Sequence, residues 1–294
     1  MKKLSYLLIY LLINTTLFGQ STMQYNLSLG DVFTIKQDAN QIITQELDGA
    51  THEITNTLQG IMEFRVKGDT NNTYAIDVMF KDLNLKITSS IQGELIDVNA
   101  KNFQKDDAQS KIFNSLLDVP IQIILARTGD VLEVNGGDSL VSKMANASGL
   151  EDEFSINMMK KSLEKEFGSE ALADSYEQLT FIYPATPIEV GDSWKNEYAG
   201  KLQAQNTWTL NEITETSANI EGKALVVMDV LEPASTMKLN GTQDSSVITD
   251  IMTGFVKKMT VHGLAEGYTT MTQTGDQEIP TIIKSTIIYE LIEN

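Results

Sequence analysis

Apolar and charged residues alternate with a period of two in Met62-Glu63-Phe64-Arg65-Val66-Lys67, which places Met62, Phe64 and Val66 on one face of a half-buried strand. After the turn residues Gly68-Asp69-Thr70-Asn71-Asn72 the alternation resumes, with Tyr74, Ile76, Val78 and Phe80 inward. Two such runs around a turn cluster predict an antiparallel hairpin. Further short strands are predicted at 33–36, 41–47, 52–57 and 83–88, with Asp48-Gly49 as another hairpin turn.

The period changes in the middle of the chain. Over 104–118, Ile112, Phe113, Leu116 and Leu117 recur at helical spacings until Pro120 stops the pattern. A strand pair at 121–125 and 131–135 follows, turned by Thr128-Gly129-Asp130. A second helix carries Leu140, Val141, Met144 and Ala145 as its stripe, with Asp138 as the expected N-cap. A third covers 152–167, with Phe154, Met158, Leu163 and Phe167 inward and Gly168 as its stop. A fourth is expected over 169–179.

Beyond Tyr183-Pro184 the chain returns to strands, at 193–199, 205–215, 219–230, 245–251, 255–274 and 278–292. Gly191-Asp192-Ser193-Trp194 opens this second meander as Gly30-Asp31-Val32-Phe33 opens the first. Two readings stand: pseudo-equivalent β halves around a helical middle, or the chance recurrence of a common turn dipeptide. Strands in runs with helices segregated between them predict an α+β fold. The expected architecture is a long, curved, half-barrel-like antiparallel β-sheet with three to four helices packed on one face.

Residues 1–19 read as a secretory signal peptide: Lys2 and Lys3, an apolar run of about ten residues, then Gly19 at the exit. The run is too short to span a bilayer, and no later stretch is long enough. The remaining chain, 20–294, is expected to form a single α+β domain, with a first β-meander over 20–100, a mainly helical middle over 101–182 and a second meander over 183–294. A periplasmic or secreted location follows.

Charge and composition narrow the chemistry. The 294 residues carry a net charge of −18 at pH 7, a balance that repels phosphate polymers and excludes nucleic acid as a partner. Zero cysteines remove disulfides, thiolate metal sites and a cysteine nucleophile. Two histidines, His52 and His262, cannot form a three-histidine zinc site. Asp69-Thr70-Asn71-Asn72 lacks the order of a calcium loop, so no metal site and no cofactor is expected. The carboxylates at Asp106-Asp107 and Glu151-Asp152-Glu153 adjoin helix starts and suit capping better than acid–base catalysis. Ser162/Lys165 and Ser235/Lys238 have Ser-x-x-Lys spacing without the companion motifs of an acyltransferase. No catalytic residue is assigned. Methionine recurs in the strand regions, as at Met62, Met79, Met228, Met237, Met252, Met259 and Met271; it fills either an ordinary core or an adaptable binding face.

The leader, Gly30-Asp31-Val32-Phe33, the Leu125–Val131 hairpin and Tyr183-Pro184 through Trp194 together resemble a domain-of-unknown-function family of exported proteins from Bacteroidota-type Gram-negative bacteria. That resemblance implies a compartment and no activity. By element order alone, a long antiparallel sheet with helices on its concave side also looks like the LolA and LppX group of periplasmic lipoprotein and lipid carriers, from which this chain departs in placing its helices mid-chain.

The leading expectation is a non-enzymatic envelope protein that binds an apolar ligand, a lipid or lipoprotein acyl chain, between sheet and helices. Met62, Phe64, Val66, Ile76, Val78 and Phe80 are the candidate ligand-binding residues. A structural or protein-interaction module docking an envelope protein is the alternative. A carboxylate-dependent enzyme is the third.

Overall fold

Strands β1 (Val32–Leu47), β2 (Ala50–Thr70) and β3 (Thr73–Ser89) absorb the short strands and the hairpin that alternation predicts. They belong to a computed structural model that describes residues 22–47, 49–70, 72–104, 107–232, 234–272 and 275–292. The expected leader at 1–19 lies outside the described residues, as do Asp48, Asn71 and Asp106. The strands outrun their apolar patterns because ladder pairing continues through polar residues, from Val32↔Arg65 to Leu47↔Ala50 between β1 and β2.

After β4 (Gly93–Asn99), helix α1 (Ala108–Asn114) leads to β5 (Ile121–Ala126) and β6 (Val131–Asn135). Helices α2 (Gly137–Ala147), α3 (Glu153–Phe167) and α4 (Ser169–Thr180) form the middle. Strands β7 (Ser193–Tyr198), β8 (Leu202–Ile213), β9 (Ser217–Glu232), β10 (Ser235–Asp250), β11 (Val256–Met271) and β12 (Glu278–Ile292) complete the chain. All twelve strands join one open antiparallel sheet in the order β6-β5-β3-β2-β1-β12-β11-β10-β9-β8-β7, with β4 on β3. The two meanders meet at β1 and β12, whose register runs from Thr34↔Ile292 to Gln45↔Thr281. The expected α+β class and helix number hold. Among the described residues no helix is long and apolar enough to cross a membrane.

The recurrence of Gly-Asp is structural. Gly30 and Gly191 take φ of 92° and 96°, a left-handed conformation open to glycine without a side-chain penalty. Gly30 N donates to Val66 O and Val66 N to Asp31 O; Gly191 N donates to Leu210 O and Leu210 N to Asp192 O. Leu27 and Ile188, each four residues before the aspartate, are both buried. Phe33 then pairs with Phe64 across β1–β2, and Trp194 with Trp208 across β7–β8. Each meander therefore begins with the same turn, seating an aromatic pair.

Four local expectations need correction. The helix expected over 104–118 is confined to α1, because Leu116 and Leu117 bond three residues back and Asp118 turns to a φ of 57°, giving its amide to Phe80 O at 2.9 Å. Asp138 does not cap α2: Gly136 occupies the cap with no side-chain bond, and Asp138 sits exposed in the first turn. Phe154 and Met158 do not face inward; they are 76% and 54% exposed, because only the C-terminal half of α3, through Leu163 and Phe167, reaches the core. By contrast Asp107 and Asp152 do cap α1 and α3, accepting from Ser110 N and Ser155 N; hydrogen bonds from the serine side chains first, and then from these amides, hold both carboxyls below the ordinary aspartate value. Strand β10 also begins ten residues before the expected 245, since Ser235–Asp244 is too polar to show a period yet pairs on both sides.

The turn motifs converge on a knot of aromatic rings. Arg127 O accepts from Tyr25 N at 2.8 Å, and Thr128 O from Tyr183 N at 3.2 Å. Tyr25 meets Tyr183 edge to face at 5.2 Å, and Phe255, the residue before β11, stacks on Phe33 of β1 at 4.0 Å. The Tyr183 hydroxyl donates to Gly254 O at 2.5 Å. On the flank, the Arg127 guanidinium lies over the Tyr74 ring and reaches Asp69 at 3.1 Å.

Candidate functional site

All six residues expected to bind ligand lie on the inner face of β2 and β3 and are buried, between 0% exposed at Val78 and 9% at Phe80. Ladder pairing sets Met62 opposite Phe80, Phe64 opposite Val78 and Val66 opposite Ile76. The structure then divides them. Met62 and Phe80 line a cavity of about 370 Å³, whereas Phe64, Val66, Ile76 and Val78 pack in the core and are not part of its wall. Phe64 is held edge to face against both Tyr176 and Phe255, at 6.2 and 5.7 Å.

The cavity floor depends on a bulge. Between β2 and β3 the pairing passes from Ile61↔Asp82 to Met62↔Phe80, so Lys81 is the extra residue. An added residue reverses which side chains face inward. Phe80 and Leu83 both reach the inner face in consequence, and Leu85 follows Leu83 along the same wall. Gly60 lies in the same cross-strand row, between Gln37 and Leu83. A β-carbon on Gly60 would come 3.7 Å from Leu83 Cδ1 and 3.9 Å from Gln37 Oε1, both ordinary contacts. The absent side chain leaves room beside two lining residues.

Helices close the other side. Phe113 of α1 and Phe167 of α3 meet edge to face at 5.8 Å, and both line the cavity. Helix α4 presents Leu172, Tyr176 and Leu179, all buried, one helical turn apart. Its Ser175 and the Glu166 of α3 form an exposed lip, and Lys201 pairs with Glu166 at 2.5 Å. From the sheet, Tyr289 of β12 and Gln37 of β1 complete the lining, joined by a Gln37 Nε2 to Tyr289 hydroxyl bond of 3.3 Å. The Tyr176 hydroxyl is buried and has no hydrogen-bond partner among the described residues. Burial raises the phenol pKa of Tyr176 and pushes that of Tyr289 up to about 12, so both keep their protons at neutral pH.

Leu58, Leu83, Leu85, Leu172, Tyr176, Leu179, Gln37 and Tyr289 were not singled out by sequence reasoning. Phe113 and Phe167 were, as inward positions on their own helices. The missing link is long range: Tyr289 is brought to Gln37 by the β1–β12 seam, for which neither strand carries a local signal. Of the methionines, Met62 lines the cavity, Met259 is buried in the core and Met252 is 74% exposed. His262 is exposed and bonds Thr286 at 3.1 Å, a ladder position. Among the described residues no cluster of three or more His, Cys, Asp or Glu is arranged to hold a metal ion.

A family model described as "Family of unknown function (DUF6263)" matches residues 71–256, which takes in the Leu125–Val131 hairpin and the second Gly-Asp turn. No curated protein matches. Among solved structures, one titled for lipid–protein interactions in lipovitellin superposes with a TM-score of 0.50 at 11% identity, over 91% of this chain and 26% of that one. The present chain thus spans about a quarter of that protein, and the likeness is one of fold. An outer membrane channel from Pseudomonas putida F1 aligns over 93% of this chain and 100% of its own, at 7% identity and a TM-score of only 0.29.

Proposed function

We propose that this chain, which belongs to the DUF6263 family of unknown function, is a non-enzymatic exported protein that holds an apolar ligand, a lipid or acyl chain, between its sheet and helices α1, α3 and α4. The observation that carries this reading is the cavity of about 370 Å³, walled mainly by leucines, phenylalanines and Met62. Its size lies toward the lower end of small-molecule sites, roughly 300–1,000 Å³, and suits a single chain better than a multi-chain lipid. The fold shared with the structure titled for lipid–protein interactions in lipovitellin agrees with an apolar cargo. Export rests on the leader read at 1–19 and places the protein in the periplasm or outside the cell.

The test is displacement of a fluorescent apolar probe, 1-N-phenylnaphthylamine, from the protein lacking residues 1–19. Saturable one-to-one binding that is lost in Leu172→Arg, with the fold retained by circular dichroism, supports the reading. Binding unchanged in Leu172→Arg contradicts it.

One observation favours a second reading, a module that docks an envelope protein. Phe154 and Met158 lie four residues apart on α3, exposed and on one face. Cross-linking from this face to a protein partner, together with absence of probe binding, would favour that alternative.

A further inference from the structure

Given an apolar ligand in this cavity, the polar groups of the wall constrain its head. Among the described lining residues the single charged side chain is Glu166, at the lip and already engaged by Lys201 at 2.5 Å. Among the described residues no lysine, arginine or histidine lines the cavity. A buried carboxylate, phosphate or sulfate needs a cation or several N–H donors to offset lost hydration, and none is supplied. The Glu166–Lys201 pair leaves the entrance without a net charge. An anionic head is therefore disfavoured inside the cavity.

An uncharged polar head meets a different wall. The Tyr176 hydroxyl is buried, lies on α4 among the lining residues and has no partner among the described residues. Leaving such a group unsatisfied is costly, and a ligand atom that bonds it recovers that cost. The Tyr289 hydroxyl already accepts from Gln37 at 3.3 Å and keeps its own proton to donate. Ser175 at the lip adds a third neutral group. One orphaned hydroxyl amid apolar side chains is the pattern by which a site fixes a ligand's orientation.

We propose that the cavity selects an apolar chain ending in a neutral hydrogen-bonding group, a hydroxyl or ester, bonded by Tyr176, and rejects chains with anionic heads. This rests on the cavity reading above, and the experiment separates the two. Binding of 1-decanol, decanoate and decane is measured at pH 8 by probe displacement, on the wild-type protein and on Tyr176→Phe. The expected result is that 1-decanol binds about tenfold more tightly than decanoate to wild type. Tyr176→Phe weakens 1-decanol by about 2- to 10-fold and leaves decane unchanged. Because the wild-type comparison needs no variant, it holds even if Tyr176→Phe folds poorly. Decanoate binding as tightly as 1-decanol overturns the head-group inference and leaves the cavity reading standing. An alcohol preference that survives Tyr176→Phe overturns the role of Tyr176. Failure of all three compounds to bind overturns both the inference and the cavity reading.

Discussion

Asp31 and Asp192, 161 residues apart, make the same bond: the Asp31 carboxylate accepts from Ser28 N at 2.8 Å, and the Asp192 carboxylate from Glu189 N at 2.9 Å. In each turn the aspartate amide also donates back to the carbonyl of that third residue, at 3.0 Å in both. The two meanders are thus entered through one device used twice, which ties a buried aliphatic residue to the first aromatic of a strand.

Equal geometry implies equal energetic weight. Asp31→Ala and Asp192→Ala each remove one charge-assisted bond at an exposed turn, and each is expected to cost about 1 kcal/mol. Among the described residues no hydrogen bond joins the two turns, so the double variant should be additive within about 0.5 kcal/mol. Urea unfolding of the four proteins checks this. A cost confined to one of the two turns would contradict the equivalence.

Burial separates two phenylalanines that look alike in sequence. Phe64, wedged between Tyr176 and Phe255, should lose about 3–5 kcal/mol as Phe64→Ala. Phe154, 76% exposed, should change stability by no more than about 0.5 kcal/mol as Phe154→Ala. The same urea titration reads both.

Gly60 offers a direct way to fill the cavity. Its backbone imposes no left-handed φ, and a side chain there would point between Gln37 and Leu83. Gly60→Ala should be tolerated or mildly stabilising, by up to about 1 kcal/mol, because glycine in a strand is entropically costly. Gly60→Leu should occupy the space and abolish probe binding while the protein still unfolds cooperatively. Undiminished binding in Gly60→Leu would place the ligand elsewhere.

Protonation of α4 gives a pH signature. Burial, reinforced by the nearby Asp130 charge and a hydrogen bond to it, raises the Glu177 carboxyl from 4.5 to about 7. The folded protein therefore keeps a proton that the unfolded chain has lost between those values. The stabilisation is fully present below about pH 4.5 and is lost as pH rises through about 7. Glu177→Gln, which mimics the protonated state, should melt above wild type at pH 8, with the gap closing toward pH 4.5. Thermal denaturation at both pH values checks the sign; a lower melting temperature for Glu177→Gln at pH 8 would contradict it.

Local periodicity was a good guide where one face is apolar and the other charged, as in 62–80, because burial then leaves a two-residue signature. It failed where burial was decided at a distance. Ser235–Asp244 carries no alternation and is a strand because β9 and β11 flank it. Phe154 and Met158 have helical spacing but lie beyond the part of α3 that reaches the core. The cavity was half legible for the same reason. Met62 and Phe80 declare themselves by alternation, whereas Leu83 changes face only through the bulge at Lys81. Tyr176 and Tyr289 arrive through helix docking and the β1–β12 seam, contacts that no short-range pattern records.

The central claim, an apolar ligand between sheet and helices, is tested most directly by native mass spectrometry of the protein purified from its own cells, with organic extraction of whatever dissociates. The account predicts a stoichiometric adduct of single-chain lipid size, neutral at its head, that disappears in Gly60→Leu. A bare polypeptide mass under conditions that preserve the fold, or an adduct that persists undiminished in Gly60→Leu, would contradict it.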